Sequence, residues 1–351
     1  MTEVKTNKTS FKTKVLIALG ILFIVMLGGT AFNYYLKYFG PNVTDNTEYL
    51  YIKTGSGFDD VYNTIKKDGI VKDSVSFLNA ANNMEYPGSV KPGRYRLTKG
   101  MSNRSFINML KAGNQEPVKI AFQNVRLKQT LAGMVARKLE TDSASIGRLL
   151  DSTAFVQKYG FTTDNVHTMF IPNSYEIYWN TPAEKFFTRM HDEYKKFWTA
   201  ERKAKAEKID LTPIEVSVLA SIVDGEALMD KEMPVIAGLY MNRLKKGMKL
   251  EADPTVIFAA NDFTIRRVLN KHLRIESPYN TYRNTGLPPG PIGMPSINAI
   301  DAVLNYDSHN YIYMCAKEDF SGYHNFAVTL AEHSVNARKF QQALNARNIK
   351  K

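Results

Sequence analysis

Apolar positions follow two patterns along this chain. From Val15 to Leu36 no residue carries a charge, and at a helical rise of about 1.5 Å per residue such a run just spans the roughly 30 Å core of a bilayer. The pattern predicts one transmembrane helix. Beyond it the apolar positions break into short periodic segments. Tyr49 to Lys53 alternates as a strand, Asp59 to Lys67 and Ser74 to Asn83 read as short helices, and Gly93 to Leu97 gives a second strand. Ser102 to Ala112 follows as an amphipathic helix stopped by Gly113.

The remainder is richer in helical periods. Val118 to Val125 reads as a strand and Leu127 to Leu139 as a helix. Thr181-Pro182-Ala183-Glu184 has the grammar of a capping box and opens a helix with a stripe of Phe186, Phe187, Met190 and Tyr194. Thr212-Pro213-Ile214-Glu215 repeats that grammar ahead of the apolar run Val216 to Val223, which decides for helix over buried strand. Pro234 to Lys246 is a further helix, ended by Gly247; a strand at Tyr311 to Ala316 and a helix at Thr329 to Ala346 follow. The expected architecture is α+β: a tail (1–14), a transmembrane helix (15–36), a linker (37–47), a small α+β module with its following helix (48–115), and a helix-rich α+β catalytic domain (116–351).

Charge sets the surroundings. The formal net charge is +12, which suits anionic partners such as phospholipid, nucleic acid or an acidic wall polymer. Lys5, Lys8, Lys12 and Lys14 precede the apolar run, so the positive-inside rule keeps the tail cytoplasmic and exports the chain beyond Lys37. A cell membrane protein with a single pass and an extracytoplasmic second domain is expected. Export leaves nucleic acid an unsuitable partner, and membrane lipid is met through Val15–Leu36. Cys315 is the sole cysteine and the 6 histidines are scattered, so neither a disulfide nor a metal site is expected, and no cofactor.

The chemistry concentrates around Glu226. It follows Leu219, Ile222 and Val223 by seven, four and three residues and so shares their apolar face, where burial favours the neutral acid. Asp224 lies about 200° around the helix axis from it, so the two acids do not face each other. The segment alone also allows Glu226 to bend out to solvent from the helix end. Glu251-Ala252-Asp253-Pro254-Thr255 offers acids and a hydroxyl in a turn. Ser277-Pro278-Tyr279-Asn280-Thr281-Tyr282 leads into the stiff stretch Gly286 to Ile292, with stacking faces and amide and hydroxyl groups suited to a sugar polymer, or simply a structural proline-rich turn. His324 either binds substrate or satisfies a turn.

The stretches Leu219 to Glu226, Asn242-Arg243-Leu244 with Gly247-Met248, Asp253-Pro254-Thr255, Ser277 to Tyr282 and Gly286 to Ile292 resemble, in order and spacing, the YceG-like, MltG-type endolytic murein transglycosylases. Tyr51-Ile52-Lys53, the helix from Asp59 and Gly93 to Leu97 resemble that family's LysM-like module. The family's helix motif has two glutamates where this chain has Asp224 and Glu226. The resemblance implies a lytic transglycosylase that cleaves the MurNAc–GlcNAc bond inside nascent peptidoglycan strands, leaves a 1,6-anhydroMurNAc end, and works beside peptidoglycan synthases. Glu226 would be the catalytic acid. Asp224, Asp253, Thr255, Tyr279, Asn280, Thr281, Tyr282 and His324 would bind substrate or support it. A hydrolytic muramidase using Asp253 or Glu251 as second carboxylate, and a wall-binding protein without catalysis, are the alternatives.

Overall fold

The computed structural model describes residues 10–123 and 125–347. The chain divides into two compact units, one of residues 1–118 with 178–180, the other of 119–177 and 181–351. Lys5 and Lys8, on which the expected orientation partly rests, lie outside the described residues, as does Asn124.

The first unit opens with α1 (Phe11–Phe39), 29 residues long with a mean hydropathy of 2.6 over its most apolar window. Its side chains are exposed around the whole circumference as far as Lys37, so no protein core accounts for them. β1 (Tyr49–Ile52), α2 (Phe58–Lys67), α3 (Ser74–Asn83), β2 (Gly93–Arg96) and α4 (Asn103–Ala112) follow. β1 and β2 pair antiparallel with Leu50 opposite Tyr95. Both of these side chains enter a core that also holds Ile65, Phe77 and Phe106. Residues 37–47, expected as a linker, contribute Tyr38 and Val43 to that core, and Asn42 bonds the buried Asn103 at 2.8 Å. α4 has the expected ends: the Ser102 hydroxyl accepts from Ser105 N, and Gly113 takes the left-handed conformation (φ 74°) that closes it.

The second unit runs β3 (Val118–Ala121), α5 (Lys128–Ala136), α6 (Ser143–Leu150), α7 (Thr153–Gln157), β4 (Ser174–Ile177), α8 (Ala183–Phe197), α9 (Ala200–Lys208), α10 (Pro213–Glu226), α11 (Met233–Lys245), α12 (Asp253–Ala260), α13 (Asn270–Leu273), α14 (Ile297–Leu304), β5 (Tyr313–Ala316), β6 (His324–Ala327) and α15 (Leu330–Ala346). β3 pairs with β4, and β5 with β6 in antiparallel register, Met314 opposite Phe326. The helices carry the mass of the fold and the sheets are small.

Several expectations need correction. α8 begins without a capping box: Pro182 is the N-cap residue and its side chain can accept no hydrogen bond. The stretch at Glu251 is a turn only as far as Ala252. From Asp253 it is helix, because Pro254 falls in the first turn, where a missing N–H costs nothing. The strand expected over Val118–Val125 ends at Ala121, and β6 was not foreseen.

Candidate active site

α10 is the element that fixes the site. Its first turn is locked by the predicted box, with Glu215 N donating to the Thr212 hydroxyl at 3.2 Å and Thr212 N to the Glu215 carboxylate at 2.7 Å. Every residue from Val216 to Val223 is buried, against α11, α12 and α14. Burying an aliphatic side chain is worth about 1.5–3 kcal/mol, so Val216, Val218, Leu219, Ile222 and Val223 together anchor the helix and hold its last residue, Glu226, in place. Two residues join the neighbouring loops to it. The Ser221 hydroxyl accepts from Ile292 N at 3.0 Å, and Gly225 lies so close to α12 that a Cβ there would stand 3.0 Å from that of Pro254.

Glu226 opens into a hollow of about 300 Å³ lined also by Tyr240, Arg243, Asp253, Tyr282 and His324. The Tyr240 hydroxyl donates to Glu226 Oε1 at 3.0 Å. The Glu226 side chain keeps part of its surface open to the hollow, yet protein atoms crowd the carboxyl group. Desolvation therefore pushes its pKa up to about 7, helped by the negative charge of Asp253 and opposed by hydrogen bonds from Tyr240 and the Asp253 backbone.

Around it, each charged partner is held. Asp253 Oδ1 accepts from the Tyr282 hydroxyl at 2.7 Å, which together with burial raises the Tyr282 pKa. Arg243 is buried; it donates to the carbonyls of Lys249 and Ile312, each at 2.8 Å, and pairs with Glu251, which has a positive φ of 54°. His324 sits on β6, not in a turn, and its Nδ1 lies 2.8 Å from the buried carboxylate of Glu232, which also accepts from His324 N.

Other singled-out residues are brought close without facing the hollow. Asn280 is fully buried. Its amide donates to the carbonyls of Leu273 and Ile275 at 3.0 and 2.8 Å, and its oxygen accepts from Tyr282 N. Thr255 and Thr281 are also buried, their hydroxyls 2.8 Å apart, and the Thr281 hydroxyl accepts from Ala252 N. Thr255 and Thr281 tie the Tyr282 loop to the start of α12, and Asn280 ties it to the end of α13. Tyr279 packs on Phe258 with ring centroids 4.7 Å apart, and burial raises its pKa to about 12. Asp224 lines a different hollow and accepts from the Ser296 hydroxyl at 2.6 Å, as its angular offset from Glu226 requires.

Sequence reasoning did not single out Tyr240 or Glu232, and met Arg243 only inside a motif. Tyr240 sits in the stretch Ile236 to Met241, where it reads as one more core residue. A hydroxyl within that apolar stripe is the available signal, since a buried tyrosine seeks a partner.

A carboxyl group that titrates near neutrality in an open hollow is suited to general acid–base catalysis. The chain belongs to the YceG-like family, whose model matches residues 50–339. It is 30% identical over 343 residues to the endolytic murein transglycosylase of Bacillus subtilis, covering 92% of each chain. With the endolytic murein transglycosylase of Streptococcus pneumoniae R6 it shares 26% identity over 335 residues, 84% of this chain but only 60% of that protein's length. The crystal structure of a yceG-like protein from Listeria monocytogenes has the same fold, with a TM-score of 0.55 at 23% identity over 82% of this chain and 98% of that one.

Proposed function

We propose that this protein is a membrane-anchored lytic transglycosylase that cuts peptidoglycan endolytically, with Glu226 as its catalytic acid and base. The observation that carries this is the single carboxyl group poised near pKa 7 in the hollow with Tyr240. The names of the relatives support the substrate.

In this mechanism neutral Glu226 gives its proton to the glycosidic oxygen between MurNAc and GlcNAc as the bond to C1 breaks, and positive charge develops on the muramic ring. The GlcNAc end leaves as an alcohol. The Glu226 carboxylate then takes the proton of the muramic C6 hydroxyl, whose oxygen closes on C1 to give the 1,6-anhydro end. Glu226 finishes protonated, ready for the next bond. The nucleophile belongs to the substrate, so one carboxyl group serves both steps. Asp253 and Tyr282 line the same hollow, where hydroxyl and carboxylate groups suit a sugar. α1 would anchor the enzyme with the catalytic unit outside the cell membrane, and the LysM-like module of residues 48–115 would contact glycan. Acting there beside peptidoglycan synthases, the enzyme would end nascent strands.

A hydrolytic reading draws on one observation: Asp253 is a second carboxylate close enough to Glu226 to raise its pKa. Water activated by Asp253 would leave a reducing end. Mass spectrometry of murein digested by the full chain in detergent separates the two, since anhydro ends are expected and reducing ends would establish hydrolysis.

A further inference from the structure

A second hollow, about 420 Å³, opens on the other side of the end of α10. The two share a thin wall. Gly225 and Pro254 line the second hollow, while their immediate neighbours Glu226 and Asp253 line the first. The contact of Gly225 with Pro254 leaves no room between them for even a methyl group without displacement. A polymer cleaved at Glu226 therefore has a branch-sized space beside the reacting bond.

The lining of this space differs from that of a sugar site. Arg126 lines it, exposed, its guanidinium carbon 4.6 Å from the centroid of the Phe263 ring. Among the described residues the ring is its partner, and no carboxylate forms an ion pair with it. Stacking leaves the edge of the guanidinium, with its N–H donors, open to a ligand. Asp224 lines it as well, its carboxylate fixed by Ser296, which at the same time caps α14 through Ala299 N. Ile257, Ile265 and Met294 line it too. One cation, one anion and apolar surface match a short peptide that has a carboxylate, amide N–H groups and small alkyl side chains. An uncharged acetylated sugar needs neither charge.

We propose that this hollow seats the peptide branch of the muramic sugar, with Arg126 binding a peptide carboxylate and Asp224 accepting from peptide N–H groups. This rests on the peptidoglycan reading of the Glu226 hollow and adds a preference to it: strands that carry peptides are taken over stripped ones. A carboxylate can also come from the lactyl group of a stripped muramic sugar, and the test distinguishes the two sources.

The measurement is calorimetric binding to the full-length chain in detergent, in a Glu226→Gln background so that no strand is cut. The probes are soluble glycan fragments that carry their peptides, and the same fragments stripped by an amidase, which exposes the lactyl carboxylate. Losing a hydrogen bond to a charged group costs about tenfold in affinity or more. Peptide-bearing fragments are expected to bind about tenfold more tightly than stripped ones, and Arg126→Gln to reduce that preference to about twofold or less. Arg126 is exposed, so its replacement leaves the core untouched. A preference that survives Arg126→Gln overturns the proposal. An equal loss with both fragments also overturns it and assigns Arg126 to the lactyl group. Because binding is the readout, failure here is distinct from failure of the proposed reaction, which would show as wild-type protein that leaves every strand intact.

Discussion

At the scale of single residues, the pKa of Glu226 is the property on which the chemistry depends. An acid raised from 4.5 to about 7 is protonated in the folded protein over a window where the unfolded chain has lost its proton. The folded state then binds more protons than the unfolded one, so stability falls as pH rises from about 4.5 through 7. Replacing Glu226 with Gln is accordingly expected to raise the melting temperature at pH 8 and to leave it nearly unchanged at pH 4, which a pair of thermal scans would check. Activity has the same dependence. The protonated acid is lost as pH passes 7, so kcat/KM is expected to decline there on the alkaline side. Tyr240→Phe removes a bond that favours the carboxylate and should move this limb to higher pH, while Asp253→Asn removes a repelling charge and should move it to lower pH. Limbs that stay in place in both variants would separate Glu226 from the measured pKa. The position of Glu226 was legible in the sequence because a carboxylate that ends a helix of eight consecutive buried residues has little to do in a core. Its hydrogen-bond donor was not, because Tyr240 comes from another helix and has the pattern of a core residue.

At the scale of elements, the site depends on α10 meeting α12 and on the Tyr282 loop being pinned. Gly225→Ala gains up to about 1 kcal/mol of helix propensity in a helix interior, and less at a penultimate position. It also drives a methyl group against a proline ring that cannot yield. The clash wins, and a loss of about 1–3 kcal/mol is expected in denaturant unfolding, together with reduced activity from a displaced wall. Asn280→Ala leaves two partly buried carbonyls and a partly buried backbone N–H without their partner. About 1–3 kcal/mol should be lost, and kcat should fall too because Tyr282 loses its register. Elements with strong local punctuation were legible: Ser102 and Gly113 bound α4, and Thr212 opens α10. Elsewhere the local signal was overridden. Thr181 carries the capping grammar without making the bond, and Asp253-Pro254 reads as a turn although proline is at home in a first helical turn. β6 depends on pairing with β5, a partner that a local pattern cannot show. In the loop Ser277 to Ile292 the assignment of the polar groups was not legible: Asn280 bonds the carbonyls of Leu273 and Ile275, Thr281 bonds Thr255 and Ala252 N, and of these loop residues Tyr282 reaches the hollow.

At the scale of the whole molecule, α1 is the element long and apolar enough to cross a membrane. As far as Lys37 its side chains cover no protein core among the described residues, so the full chain is expected to stay with membranes through carbonate extraction, and a chain that washes off would contradict the anchor. The reaction proposed for the Glu226 hollow calls on one carboxyl group and on a nucleophile that belongs to the substrate. The most direct test is the release of soluble fragments from intact sacculi by the full chain in detergent, comparing wild type with a Glu226→Gln variant shown by circular dichroism to be folded. Wild type should release fragments with anhydro ends, and the variant should lose at least about a hundredfold of that rate, the low end of what a general acid supplies. Release by the folded variant at the wild-type rate would contradict the assignment of Glu226 as the catalytic acid.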